Sequence, residues 1–247
     1  MSGHSKWSTI KHQKGAKDTK RGKLFARLIR GIEVAARTGG GSPDGNPTLA
    51  DAIQKAKDNS VPNETIHRAV KRGAGELEGP PPDLVTYEGY AAGGVAVLVE
   101  ALTDNRNRTA ADIRHAFSKA GGSLADAGSV AYLFTRKGEL YVPGDVDEER
   151  VMEIALEAGA EDVEVGDDGF RVTTAAGGLR GVRATFDEAG IPYDSAEVTM
   201  VPSVSVPLER DAAVKVLRLL DALEDLDDVQ DVYANFDIPD AVMAEVS

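Results

Sequence analysis

Apolar residues recur every fourth position along the first basic stretch of the chain. Leu24, Leu28, Ile32 and Ala36 repeat at that spacing and Phe25 and Ile29 join them, which predicts an amphipathic helix starting near Lys20. Arg21, Lys23, Arg27, Arg30 and Arg37 fill its other faces, and Gly39-Gly40-Gly41 stops it before a loop holding Pro43 and Pro47. Leu49, Ala52, Ile53 and Ala56 predict a second helix over about 48–59. Ile66, Ala69 and Val70 predict a third, opened at Pro62-Asn63 with Asn63 as N-cap and closed by Gly73 and Gly75. Residues 1–19, ahead of the first helix, have little apolar periodicity and read as a polar arm that orders on a partner.

The period changes after a linker over 74–83, rich in Gly and Glu and carrying Pro80-Pro81-Pro82. The expected elements are a strand over 95–102, a helix over 107–120 opened by Thr109-x-x-Asp112 and ended by Gly121-Gly122, and a strand over 130–134. Next come strand 140–142, helix 148–158, strands 162–165 and 169–174, helix 179–189 and strand 196–201. Strand 203–206, helix 209–223 and strand 228–235 finish the chain, and a strand near 85–90 is expected as an edge extra. The segments from Leu140 to Val201 spell βαββαβ, the split βαβ order, and the flanking segments spell it again. The predicted fold class is therefore α+β: an N-terminal small helical domain (1–75) followed by two ferredoxin-like domains. One is discontinuous (84–136 plus 203–247), and the other (137–202) is inserted in it.

Charge changes what these segments mean. The net charge is −13, yet residues 1–75 carry 15 Lys+Arg against 6 Asp+Glu (net +9), and residues 76–247 carry 13 against 35 (net −22). Screening limits the reach of distant acidic charge to about 8–10 Å in physiological salt, so the first segment attracts polyanions locally while the remainder opposes indiscriminate binding. The absence of cysteine removes disulfides, thiolate metal sites and cysteine nucleophiles, and four scattered histidines (His4, His12, His67, His115) do not make a zinc site. The polar, basic start lacks a secretory h-region and the longest aliphatic run, Val95 to Val99, is too short for a bilayer, so a cytoplasmic location without membrane attachment is expected. No cofactor or metal is expected.

The chemistry to be placed is phosphate binding. Lys6, Lys11, Lys14, Lys17, Lys20, Arg21, Lys23, Arg27 and Arg30 are candidates to neutralise phosphates, with Lys55, Lys57, Arg68, Lys71 and Arg72 extending the footprint. Trp7 either stacks on an exposed base or packs the arm onto the helices. In Asp104-Asn105-Arg106-Asn107-Arg108, at a strand-to-helix junction, Arg106 and Arg108 flank a helix N-terminus suited to an anion, or the segment is a capped turn satisfying its own backbone. Gly39-Gly40-Gly41 is not followed by Gly-Lys-Ser/Thr and is not a P-loop. The pairs Asp167-Asp168 and Asp227-Asp228 fall in expected turns and read as solvated. No Ser/His/Asp arrangement has motif support, so catalysis is not expected.

Several motifs together resemble the YebC/PmpR family: Gly3-His4-Ser5-Lys6-Trp7, Lys20-Arg21-Gly22-Lys23, Gly39-Gly40-Gly41, Tyr87-Glu88-Gly89-Tyr90, and Asp104 through Thr109. Phe117 through Gly122 and Gly128 through Phe134 complete the set, so the resemblance runs nearly end to end. It implies a helical domain plus two α+β domains, one inserted in the other, and a probable DNA-binding transcriptional regulator. It also carries the family's other role, translation: mitochondrial relatives are translational activators of cytochrome oxidase, and some bacterial members support synthesis through proline-rich stretches at the ribosome. Two positions depart from the family pattern, Ala91-Ala92 where Gly-Pro is usual and Ala120 where cysteine is common, and neither touches the basic segment. The expected partner is DNA or structured RNA, including ribosomal or transfer RNA, bound by a monomer whose acidic domains contact protein partners. No turn between helices declares a helix-turn-helix, which tilts the physical reading toward RNA. A protein-only interaction module, with the arm as a solubilising tail, is the alternative of another class.

Overall fold

The computed structural model describes residues 18–76, 83–103, 105–166, 169–239 and 242, with side chains from Leu24 onward. Two compact units divide the chain: Tyr132–Val204 forms one, and the residues before and after it form the other.

The larger unit begins with three helices, α1 (Asp18–Gly39), α2 (Pro47–Asp58) and α3 (Asn63–Gly73). Their apolar stripes meet in a core of Leu28, Ile32, Ala35, Ala36, Leu49, Ala56, Val61, Ile66 and Ala69. Asn46 fastens the turn after α1: its buried side chain accepts from Leu49 N (3.1 Å) and donates to Ala35 O (2.8 Å) and Gly40 O (2.9 Å), with Pro47 at the first helical position. The expected N-cap at Asn63 is corrected. Pro62 holds the cap position without a side-chain bond and Asn63 is the first residue of α3. The connection between α2 and α3 is four residues long, and Ser60 supplies its positive φ of 61° where a glycine would be usual.

The α/β part of this unit has strands β1 (Asp83–Tyr90), β2 (Ala96–Thr103) and β3 (Ser123–Ala125), with helix α4 (Arg106–Lys119) between the last two. The smaller unit contributes β4 (Phe134–Pro143), α5 (Glu148–Glu157), β5 (Asp162–Gly166), β6 (Gly169–Ala175), α6 (Leu179–Ala189) and β7 (Ser195–Pro202). The chain then returns through β8 (Val206–Pro207), α7 (Arg210–Glu224), β9 (Val229–Ala234) and β10 (Phe236–Asp237). The smaller unit has the expected split βαβ sheet, ordered β5-β6-β4-β7 and antiparallel throughout. The architecture is α+β, with a helical region followed by mixed helix and antiparallel sheet.

Three strand assignments are corrected. The segments expected as separate strands over 130–134 and 140–142 are one 3-10 turn (Ala131–Leu133) and one long strand, β4. Arg136-Lys137-Gly138 reads as a break by polarity, but β6 and β7 pair with β4 through those residues. Gly138 serves close packing there, since a Cβ would lie 2.8 Å from Leu179 Cβ and from Thr174 Cγ2. The expected edge strand β1 lies inside the sheet, whose order is β3-β1-β2-β9. It takes the interior place that the split order would give to segment 203–206. That segment pairs only at Val206–Pro207, in parallel with β10, where Pro202 and Pro207 limit any longer ladder. β2, flanked on both sides, is buried along nearly its whole length, and α4 and α7 cover one face of the sheet with Ile113, Phe117, Val216, Leu219, Leu220 and Leu223.

The closest helical packing is between α1 and α3 at Gly73, where a Cβ would meet Glu33 O at 2.2 Å and Ala36 Cβ at 2.8 Å. Both obstacles belong to a helix backbone or its first side-chain atom and cannot swing away. Gly73→Ala is expected to destabilise the protein by about 2 kcal/mol through overpacking, read as a lowered urea midpoint with an unchanged m-value.

Candidate nucleic-acid interface

Lys6, Trp7, Lys11, Lys14 and Lys17 lie outside the described residues, as do Asp104, Asp167 and Asp168 and the side chains of Lys20, Arg21 and Lys23. The structure sorts the remaining cations into two groups. Lys57, Arg68 and Lys71 are exposed on α2 and α3, with Lys55 half-buried beside them in sequence. Arg68, Lys71 and Arg72 share one face of α3 by their three- and four-residue spacing. Arg68 reaches Glu64 at 3.2 Å, an exposed pair one turn apart worth only tenths of a kcal/mol. Arg72 reaches across to α1, where its Nη1 lies 2.5 Å from Oε1 of Glu33, a buried carboxylate. Removing Arg72 leaves that charge unpaired, so part of its role is to hold α3 on α1.

The other arginines converge on acids. Asp228, at the turn before β9, has a side chain only 13% exposed. Its Oδ2 accepts from Arg108 Nη2 at 2.9 Å, and its Oδ1 lies 3.5 Å from Arg30 Nη1. Thr109 Oγ1, which has one proton, sits 2.7 Å from both Asp228 Oδ2 and Thr103 Oγ1. Arg30 Nη1 also donates to the Asp227 carbonyl at 2.6 Å. Burial by itself would raise the Asp228 pKa, but the hydrogen bonds from Arg108 and Thr109 and the charges of Arg108 and Arg30 outweigh it and hold the carboxyl below its ordinary range. Burial pulls the Arg27 guanidinium below its ordinary value, opposed by Asp231, Asp225 and Asp227. The expectation that Asp227-Asp228 is merely solvated is corrected: Asp228 joins α1, the start of α4 and β9. Nothing in the dipeptide reveals this, because its partners lie 119 to 198 residues away in sequence.

The polar run at the strand-to-helix junction is a capped turn. Asn105 is the N-cap, its side chain accepting from Arg108 N at 3.1 Å, and its own N–H donates to Thr103 Oγ1 at 2.8 Å. Thr109, expected to cap, lies inside the first turn instead. Arg106 pairs with Asp83 at 3.2 Å, and Asp83 also reaches Arg37 at 3.4 Å. A cleft of about 520 Å3 beside Asp228 is lined by Arg30, Arg108, Thr109, Asp112 and residues 225–228, so two guanidiniums there face four carboxylates.

Glu88 is a second structural carboxylate that sequence reading missed. It is buried on β1 and accepts three backbone N–H groups, from Gly128 (2.7 Å), Val130 (2.6 Å) and Ala131 (2.8 Å). Burial would raise its pKa, but these three donors bring it below the ordinary value. Tyr90 Oη donates to the Ser129 carbonyl of the same loop at 3.0 Å. The signal available in sequence was the alternation of β1, which puts Glu88 and Tyr90 on one face.

Among the described residues no helix is long and apolar enough to cross a membrane, and no cluster of His, Asp and Glu has the makings of a metal site. Asp228 and Glu88 both titrate lower in the folded state. Their stabilisation is therefore complete above the unfolded carboxylate range of about 4 and disappears as pH falls through the lower folded values. Urea midpoints are expected to hold steady from neutral pH to about pH 5 and then fall. Glu88→Gln, which leaves at least one loop N–H without an acceptor, should cost about 2 kcal/mol at neutral pH and flatten the acid limb of that profile.

Residues 5–76 match the family described as the TACO1/YebC protein N-terminal domain, and residues 83–236 match the TACO1/YebC second and third domain. A protein of Rubrobacter xylanophilus is 61% identical and one of Thermobifida fusca is 59% identical, each covering the whole of both chains, and both are named probable transcriptional regulatory proteins. The crystal structure of a conserved hypothetical protein from Aquifex aeolicus is 50% identical and superposes with a TM-score of 0.81 over 90% of this chain and 93% of that one. The chain belongs to the TACO1/YebC family.

Proposed function

We propose that the protein is a nucleic-acid-binding regulator of gene expression that holds DNA through its N-terminal helical segment. The observation that carries the reading is the division of charge: net +9 over residues 1–75 against −22 over the rest. Helices α2 and α3 add a geometric reason. They are joined by a four-residue turn, the length used by helix-turn-helix pairs, and the second helix carries Arg68 and Lys71, both exposed and one turn apart. The footprint in this reading comprises the arm lysines Lys6, Lys11, Lys14 and Lys17, then Lys20, Arg21 and Lys23, with Lys55, Lys57, Arg68 and Lys71 on the helices. The family relatives' name, probable transcriptional regulatory protein, supports regulation as the purpose. No arrangement for catalysis enters the reading.

A second reading, a ribosome-associated translation factor on ribosomal or transfer RNA, draws on the length of the basic arm. Four lysines at Lys6, Lys11, Lys14 and Lys17 precede α1 with little apolar content, a composition that orders on folded RNA. Phosphate looks alike to these cations in either polymer, so target identity rests on measurement in cells. Crosslinking followed by sequencing of the attached DNA and RNA is expected to give promoter peaks for the first reading. Reads concentrated on ribosomal RNA replace it with the second, and enrichment of neither removes both.

Affinity for a mixed-sequence duplex should fall steeply with salt. Neutralising about six to eight phosphates predicts a slope of log affinity against log salt near −5 to −7. Lys57→Glu with Lys71→Glu should flatten it by about two, as should reversal of Lys14 and Lys17. A slope unchanged in either variant removes those residues from the site.

A further inference from the structure

The turn from α7 into β9 carries Asp225, Asp227 and Asp228, and Asp231 follows on the strand. Arg30 of α1 reaches it, and Arg27 lies in its field. Arg30 touches the Asp227 carbonyl and the Asp228 carboxylate, at 2.6 and 3.5 Å. Arg27, one helical turn earlier, is half-buried with Asp231, Asp225 and Asp227 as its charged surroundings. From the other side Arg108 of α4 grips Asp228 at 2.9 Å.

Two features separate this contact from ordinary packing. The core of the helical segment is built without it, from the apolar stripe of α1 packed against α2 and α3. The contact is also open to competition: the Arg30 and Arg108 side chains are 33% and 51% exposed, and the cleft beside Asp228 gives access. Their guanidinium ends are open to water although Asp228 is largely buried, so a dense row of phosphates competes for them while Thr109 still donates to Asp228. A carboxylate cluster facing guanidiniums presents what a nucleic-acid backbone presents, negative oxygens at hydrogen-bond distance.

We infer that the acidic α7–β9 turn is an internal phosphate mimic, which occupies Arg27 and Arg30 in the resting protein and withholds them from nucleic acid until a polyanion displaces it. The inference rests on the nucleic-acid reading above and specifies how that site is regulated. Binding to short or sparse polyanions then uses the rest of the footprint, and Arg27 and Arg30 are recruited by a partner dense enough in phosphate to displace the acids.

The test uses the full chain and a fluorescent mixed-sequence DNA duplex. The variant Asp225→Asn/Asp228→Asn/Asp231→Asn removes the carboxylate that Arg30 faces and two of the acids around Arg27, while the amide at position 228 keeps an oxygen for its hydroxyl partners. It is expected to bind about tenfold more tightly, with a salt slope steeper by about one to two. A control variant, Asp145→Asn/Glu148→Gln/Glu149→Gln, removes the same charge from the smaller unit and should show a much smaller gain. Adding Arg27→Gln and Arg30→Gln to the first variant should abolish the gain, since it depends on those two side chains. A gain no larger than the control's, or one that survives the loss of both arginines, overturns the mimic and leaves the wild type's salt-dependent binding, and so the nucleic-acid reading, in place. Absence of binding by the wild type and all variants removes the reading and the mimic together.

Discussion

The carboxylate of Asp228 ties together three segments that are remote in sequence. It takes Arg30 from α1, Arg108 and Thr109 from the start of α4, and through its carbonyl the Leu102 N–H at 2.7 Å from the end of β2. Taking a carboxylate largely out of water costs several kcal/mol, and each hydrogen bond to a charged group returns about 1.5–3. With this number of donors the account comes out modestly favourable. The value of the arrangement is positional: it fixes where the basic helix meets the acidic sheet, while its outer arginines remain within reach of solvent.

That position explains how one chain carries opposite charges at high density without self-defeat. Acidic groups beyond a Debye length do not cancel the basic segment in physiological salt, but Asp228 of the α7–β9 turn is in direct contact with Arg30 and does. The acidic majority thus acts in two ways. In the proposed reading its bulk repels loosely approaching polyanions, which raises the threshold for non-specific capture, and the α7–β9 turn, which meets α1 as Asp83 does at Arg37, sets whether Arg27 and Arg30 are committed.

Where the chain's periodicity was strong, its structure was legible. The helices α1 to α3 follow from four-residue spacing, Gly39-Gly40-Gly41 and Pro47, and the smaller unit's βαββαβ order follows from short alternating runs. Legibility failed where a residue's usual meaning was overridden by tertiary packing. Gly138 reads as a turn but makes room for Leu179 and Thr174 in mid-strand. β1 reads as an edge extra because the split βαβ order has no place for it, yet it lies inside the sheet, and its Glu88 is buried against three backbone donors from a loop 40 residues on. The charge division of the candidate interface was visible in the sequence. The pairing of Arg30 and Arg108 with an acid more than a hundred residues away was not, since no local pattern encodes which guanidinium meets which carboxylate.

The division between lysines and arginines follows from their chemistry. A guanidinium presents a rigid planar fork that suits a fixed carboxylate or carbonyl, and it loses little hydration on being half-buried. Arg30, Arg72, Arg106 and Arg108 are each set against such a partner. An ammonium is a compact, strongly hydrated charge on a flexible stem, suited to following phosphates without demanding one geometry. Lys57 and Lys71 stay at the surface, and four of the cations ahead of α1 are lysines too. In the proposed reading, holding the fold together and gripping a polyanion therefore fall largely, though with Arg21 and Arg68 in the footprint not wholly, to different side chains of equal charge. Arg27 and Arg30 are the exception that the proposed mimic allows to change from the first task to the second, with phosphate exchanged for the acids around them.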